Sequence, residues 1–355
     1  MIVALVLIGA VLTYRVLNAA GYANTVTSKF AGRCQAVSGV VGVEDIELDR
    51  QTGLMFLSSQ DRRPVTASNW KQGGIYLAQL EHPEIPPISL TAIYSRPIHP
   101  HGISLFTDEQ GRKTLAVVNH SEKSSSEVFL FDVNLSLAST KSFEVLTMRK
   151  NIHDPLLANL NDITLVGHDA FYATNDHGST TSLGETLEDF LLLPRANVVY
   201  FDGAKSKIVA TGFNYANGIN HSADGKYIYV AETTGRKLSA FSRDTQTGAL
   251  TIAESVNVAY GLDNIDVASD GQLWIAGHPR MLDFLNHARD EKQHSSSAVL
   301  TLQLAGTATL PEVKPDTIYL NTGDEISGSS VAVSHNGRLV IGSVFEKFFL
   351  NCKLD

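Results

Sequence analysis

Cysteine is scarce: Cys34 and Cys352 are the only two in 355 residues, so the chain can form one internal disulfide at most. Clustered lysine and arginine are missing too, and the formal charge is −9, which argues against nucleic acid as a partner because phosphate binding needs a basic patch. No apolar run reaches the roughly 20 residues that a membrane-spanning helix requires. A GxSxG nucleophile elbow is absent, and with it the usual signature of a serine hydrolase. Neither a long amphipathic helix pattern nor a low-complexity tract occurs, and 27 glycines with 43% hydrophobic residues suit a soluble chain that turns often around a large core.

The first residues, Met1 to Tyr14, are almost wholly apolar (MIVALVLIGAVLTY) and are followed by Arg15 and by the small residues Ala19, Ala20 and Gly21. Residues 1–22 therefore read as a signal peptide or membrane anchor, although a positively charged start is missing; a buried N-terminal helix is the alternative. On this reading the protein is secreted or membrane-anchored on the extracytoplasmic side, with membrane or lipid association through the N-terminal segment. In such a compartment Cys34 and Cys352 are expected to pair and tie the two ends together, two free thiols being the alternative.

Beyond Cys34 one short element recurs, a turn followed by a β-rich apolar run. The copies are GLMFLSSQ from Gly53, KTLAVVNH from Lys113, AFYATNDH from Ala170, KYIYVAET from Lys226, QLWIAGHP from Gln272 and RLVIGSVF from Arg338. They stand 46 to 66 residues apart, close to the length of a four-stranded blade with its loops. Further strand-like runs fill the intervals: GGIYLAQL from Gly73, EVFLFDV from Glu127, NVVYFDG from Asn197, KLSAFSR from Lys237 and AVLTLQLA from Ala298. The expected fold is all-β, a six-bladed β-propeller over residues 30–355.

Upstream of each copy a polar residue opens a strand. Ten residues before Leu54, Phe171, Tyr227, Leu273 and Leu339 stand Glu44, Asn161, Asn217, Asp263 and Ser329, and His101-Gly102-Ile103 matches Asn217-Gly218-Ile219 in the second blade. In a propeller the innermost strands surround a central channel, so these positions form a ring at one mouth. Carboxylates and amides converging there would be costly without a partner, and a cation resolves the conflict. All are oxygen donors, Asn264 adds another amide, and an irregular oxygen set suits Ca2+ better than Mg2+ or Zn2+.

The motifs VEDIEL at Val43, HPHGISLFTDE at His99, LAVVNH at Leu115, NLNDITLVG at Asn159, FYATNDH at Phe171, FNYANGIN at Phe213, LDNIDV at Leu262 and LWIAGHP at Leu273 are together highly specific. The chain resembles the serum paraoxonase/arylesterase family, six-bladed calcium lactonases. The resemblance covers about residues 30–355. It implies two calcium ions, a catalytic one on Glu44, Asn161, Asn217, Asp263 and Asn264, and a deeper structural one on Asp45, Asp162 and the backbone carbonyl of Ile103. It also implies a histidine dyad, His101 as base and His120 as the group that orients it, with His177 and His278 in the wall behind, for which ordinary core packing is the alternative. Where vertebrate members have an unpaired cysteine before the histidine of the WxxxHP segment, this chain has Gly277, and the loop QDRRPVTASNW from Gln60 departs from the vertebrate pattern, placing substrate preference in doubt.

The implied activity is hydrolysis of lactones and aryl esters, small molecules whose carbonyl a calcium ion polarises and which water activated by the dyad attacks, with an organophosphate side activity. A non-catalytic propeller in which calcium only staples the channel is the competing reading.

Overall fold

In the computed structural model, which describes residues 2–63, 71–122, 125–140, 142–302 and 315–355, antiparallel strands form six blades. Their innermost strands are Val43–Asp49, Pro100–Thr107, Leu160–Leu165, Ala216–His221, Gly261–Val267 and Ser329–His335. Each packs against the innermost strand of the next blade, and the sixth against the first, so the blades close a ring around a channel. The strand-like runs expected from the sequence correspond to the strands Gly74–Gln79, Ser125–Val133, Ala196–Phe201, Lys237–Arg243 and Ser297–Leu302. Of the last run, residues 303–305 fall outside the described residues.

Packing explains the register. One position of the inner strand carries isoleucine in five blades, Ile46, Ile103, Ile163, Ile219 and Ile265, and Ala332 in the sixth; all are at most 5% exposed. Each belongs to a different apolar cluster, so the core is divided among six blade interfaces rather than gathered in one centre.

Side chains on the channel side stitch the ring. Asp45 accepts from the backbone N–H of Ile103 at 2.7 Å, Ser104 from Leu165 at 2.9 Å, and Asp162 from Ile219 at 2.7 Å. Asn220 donates to the carbonyl of Ile265 at 2.7 Å, Asp266 accepts from Ser334 at 3.3 Å, and Ser330 donates to the carbonyl of Glu44 at 2.7 Å. Every blade is thus joined to the next by a side-chain hydrogen bond.

The termini meet. Strand Gly32–Ser38 supplies the outer strand of the sixth blade beside Phe348–Leu354, and there Cys34 stands opposite Cys352 and is disulfide-bonded to it, as expected. Lys29–Phe30 adds to the edge of the fifth blade, so the propeller begins one residue before the expected boundary.

The apolar start is a helix, α1 (Ile2–Ala19), and among the described residues no helix is long and apolar enough to cross a membrane. The small residues after it are packed rather than presented: Ala20 and Gly21 are buried, Met281 donates to the carbonyl of Ala20 at 2.9 Å, Arg236 to that of Asn18 at 2.6 Å, and Asn24 to that of Pro279 at 2.8 Å. Two further helices, α2 (Ser182–Leu191) and α3 (Met281–Arg289), interrupt the third and fifth blades. The repeat pattern gave no sign of either.

Candidate active site

Every inner strand carries a β-bulge near its start: the register slips between Val43 and Asp45, Pro100 and Ile103, Leu160 and Ile163, Ala216 and Ile219, Leu262 and Ile265, and Ser329 and Val331. A bulge leaves residues out of the ladder and re-aims their side chains. Glu44, His101, Asn161, Asn217 and Asp263 occupy this one position, so the structure gathers the residues that the repeat count aligned. Ser329 is the exception. In the sixth blade the turn runs directly from His335 to Arg338, shorter than the Asp49 to Leu54 turn of the first, and Ser330 is therefore the ring member.

The amides of the ring are all held the same way round. Asn161 points its Nδ2 toward Asp176 at 3.4 Å, Asn217 donates to Thr233 at 2.9 Å, and Asn264 donates to Glu44 Oε1 at 2.9 Å and to the Glu44 carbonyl at 3.1 Å. Their Oδ1 atoms, together with Glu44 Oε2, are buried and have no hydrogen-bond partner. A single orphaned oxygen costs about 1–3 kcal/mol, so four on one ring would be strongly unfavourable in the absence of a ligand. Four such oxygens, with Asp263 beside them, fit a hard cation. Among the described residues no three His, Cys, Asp or Glu side chains gather into a metal-binding group, because amides supply most of this ring.

Burial raises the proton affinity of Glu44 and Asp263; the charge of Arg62 and the Asn264 hydrogen bond oppose it at Glu44, and His278, whose Nε2 is 2.8 Å from Asp263 Oδ2, opposes it at Asp263. One layer deeper, Asp45 and Asp162 are raised well above the usual range, by burial first and then by the neighbouring carboxylates Glu44 and Asp45 respectively. Each also accepts from the N–H of the residue after it, Ile46 at 2.8 Å and Ile163 at 2.7 Å. Of the expected structural-calcium set, Ile103 meets Asp45 through its N–H.

His101 Nδ1 is 2.9 Å from the carbonyl of Asn161 and 3.6 Å from Glu44 Oε2. A carbonyl can only accept, so Nδ1 carries the proton and Nε2 keeps its lone pair. Burial, reinforced by the charge of Arg62, lowers this imidazole to about 4; burial and His101 lower His120 to about 3. Both rings are neutral at pH 7 and meet edge to face with centroids 5.1 Å apart. His120 opens onto a cavity of about 200 Å3 shared with Asn159, Asp176, His177 and Glu185.

The model of the family described as Arylesterase matches residues 29–354. The chain belongs to the arylesterase family. Among its curated relatives, human serum paraoxonase/arylesterase 1 is 36% identical over 90% of this chain and 88% of its own length, and human serum paraoxonase/lactonase 3 is 32% identical over 88% and 86%. Of solved structures, a luciferin-regenerating enzyme at 11% identity superposes with a TM-score of 0.54 over 91% of this chain and 95% of that one, a likeness of fold.

Within this arylesterase the two wall histidines differ. His278 is buried behind Asp263 and packs on Phe284 at 4.3 Å. His177 lies between Asp176 at 2.8 Å and Asp189 of α2 at 3.1 Å; burial works against its charge, but the two carboxylates outweigh it and push the imidazole up to about 10. His177 is therefore a cation, unlike the dyad. Asp176, Arg62 and Ser330 were not singled out from the sequence. Asp176 stands inside the quoted FYATNDH, next to His177, and that adjacency was the available signal.

Proposed function

We propose that this protein hydrolyses lactones and aryl esters, with calcium held by Glu44, Asn161, Asn217, Asp263 and Asn264. The observation that carries the reading is the set of four inward oxygens without hydrogen-bond partners beside an imidazole whose Nε2 is free. When bound, the ion supplies a Lewis acid for the substrate carbonyl oxygen. His101 takes the proton of the attacking water at Nε2, while the Asn161 carbonyl keeps the ring in the required tautomer. His120, edge-on, holds the plane of the His101 ring. His278 orients Asp263, and Asp176 does the same for Asn161.

A second ion on Asp45, Asp162 and the Ile103 carbonyl is proposed to be structural, acting where side chains already stitch the blades. An organophosphate side activity and a place outside the cytoplasm complete the reading, the latter supported by the disulfide. Lipid association through the N-terminal segment is part of the same proposal, with Leu7 and Val11 of α1 as the exposed apolar side chains that would meet the lipid.

A panel of γ- and δ-lactones, phenyl acetate and paraoxon, assayed with calcium and after chelation, tests the proposal. Calcium-dependent turnover of lactones and phenyl acetate is expected. Tight calcium binding with no turnover of any panel member would favour a stapled, non-catalytic propeller instead.

A further inference from the structure

Arg62 follows the second strand of the first blade and turns its guanidinium inward. Nη1 donates to the carbonyls of Gly42 at 3.0 Å and Gln60 at 3.4 Å, and Nη2 donates to the carbonyl of Pro100 at 2.6 Å. Gly42 stands two residues before Glu44, and Pro100 immediately before His101. One side chain therefore holds the peptides that lead into the inner strands of two neighbouring blades, at the point where each bulge aims a functional group.

Several features make this a fixed clamp. Gly42 has φ +58°, and a Cβ there would run into the carbonyls of Gln60 and Val344, so the backbone is crowded and carbonyl-rich. Such a cluster of acceptors calls for a donor with several N–H groups in one plane, which arginine has and lysine lacks. The next residue, Arg63, donates to the carbonyls of His287 at 3.2 Å and Phe345 at 3.2 Å and lies 4.8 Å from the Phe345 ring centroid, which ties this segment to α3 and to the sixth blade. Gln60 Nε2 is 3.0 Å from His99 Nδ1, a further link to the strand that carries His101. The charge of Arg62 acts on Glu44 and on His101, and Glu44 and Asp263 act in turn on Arg62.

We propose that Arg62 is a positioning residue for hydrolysis, its guanidinium fixing His101 relative to Glu44 by holding the peptides in front of both. The inference rests on His101 being the base. Where this loop begins the chain has two arginines, Arg62 facing the ring and Arg63 facing α3. Misplacing a catalytic group by about 1 Å can cost as much as 10²-fold in rate, so loss of the clamp is read mainly in kcat.

The experiment compares Arg62→Gln, Arg62→Lys and His101→Gln in the full-length, calcium-loaded protein, using phenyl acetate kinetics, calorimetric melting and 1H–15N spectra of labelled histidine rings. Expected is a fall in kcat of roughly 10-fold or more in both Arg62 variants with KM changed by no more than about threefold, and altered His101 ring signals in each. Lysine should not restore kcat, since it keeps the charge and loses the fork. Full activity in Arg62→Lys would reduce the role to charge, and unaltered kcat or unaltered His101 signals in Arg62→Gln would overturn the proposal. A fall in activity only in step with the fraction unfolded would make Arg62 a structural clamp and nothing more. An active His101→Gln would instead sink the assignment of the base, leaving the ring spectra to judge Arg62.

Discussion

His101 can act as a base because the carbonyl of Asn161, which can only accept, takes a hydrogen bond from Nδ1–H and leaves the lone pair on Nε2. Replacing it by glutamine should lower phenyl acetate or lactone turnover about 10²-fold, while calcium content measured by atomic absorption stays the same, because the imidazole is not among the inward oxygens. Loss of calcium from the variant would show that His101 supports the ring rather than the chemistry. His120→Gln should cost less, since its ring meets His101 edge-on and acts on the attacking water only through it. At this scale the sequence was legible wherever a residue repeats. Glu44, Asn161, Asn217 and Asp263 share a repeat position, and a count of ten residues found them. The same count missed Ser330 because it assumes a constant turn, and the sixth blade has a shorter one. Arg62 was not legible, since it acts through a neighbour distant in sequence, Pro100, whereas Asp176 had a signal in its place beside His177.

At the level of strands, the bulge is the device that matters, and what lies one residue past its tip alternates. Asp45, Gly102, Asp162 and Gly218 follow one another around the first four blades, so a carboxylate on one blade faces a bare backbone on the next. A Cβ on Gly102 would collide with the carboxylate and backbone of Asp162, which is why the side chain is missing there. Gly102→Ala should therefore destabilise by about 1–3 kcal/mol through overpacking and disturb the adjacent His101, whereas Gly167→Ala, whose Cβ would meet only Ala170 at 3.8 Å, should be nearly neutral. Equal melting temperatures for the two variants would contradict the close approach. The alternation is visible in VEDIEL, HPHGI, NLNDI and YANGI, and it becomes informative only once the blades are placed side by side. Helices α2 and α3 escaped notice for another reason. At 10 and 9 residues they carry too few turns for helical periodicity to stand out, and α2 is marked mainly by its ends, Thr181 capping Gly184 and Leu192 in the left-handed region.

Over the whole molecule the ring closes twice, through the outer strand Gly32–Ser38 with its disulfide and through the channel with its carboxylates, and the two closures respond to different reagents. Reduction opens a loop of 318 residues, and in the chain-entropy model the bridge contributes about 6 kcal/mol, so melting should fall on reduction at any calcium concentration. Removal of the proposed deeper calcium would act through Asp45 and Asp162, whose charge also reaches the nearby Glu47 through Asp45. Burial, followed by neighbouring carboxylates, raises all three well above their ordinary values. The native state without metal then binds more protons than the unfolded chain, and stability must fall as pH rises from the unfolded carboxylate values through the raised folded ones. Chelated protein should accordingly melt at a higher temperature near pH 5 than near pH 8, the reverse of ordinary acid denaturation. Saturating calcium inverts the sign, because the ion binds the ionised carboxylates and protons compete with it, so the loaded protein should be most stable near neutrality and lose stability toward pH 5. Calorimetry across about pH 5 to 8, with calcium and with chelator, reads both slopes. Two parallel curves would mean that no cation sits on the channel carboxylates, whereas curves that converge as the pH falls would place the ion among Asp45, Asp162 and the ring above them.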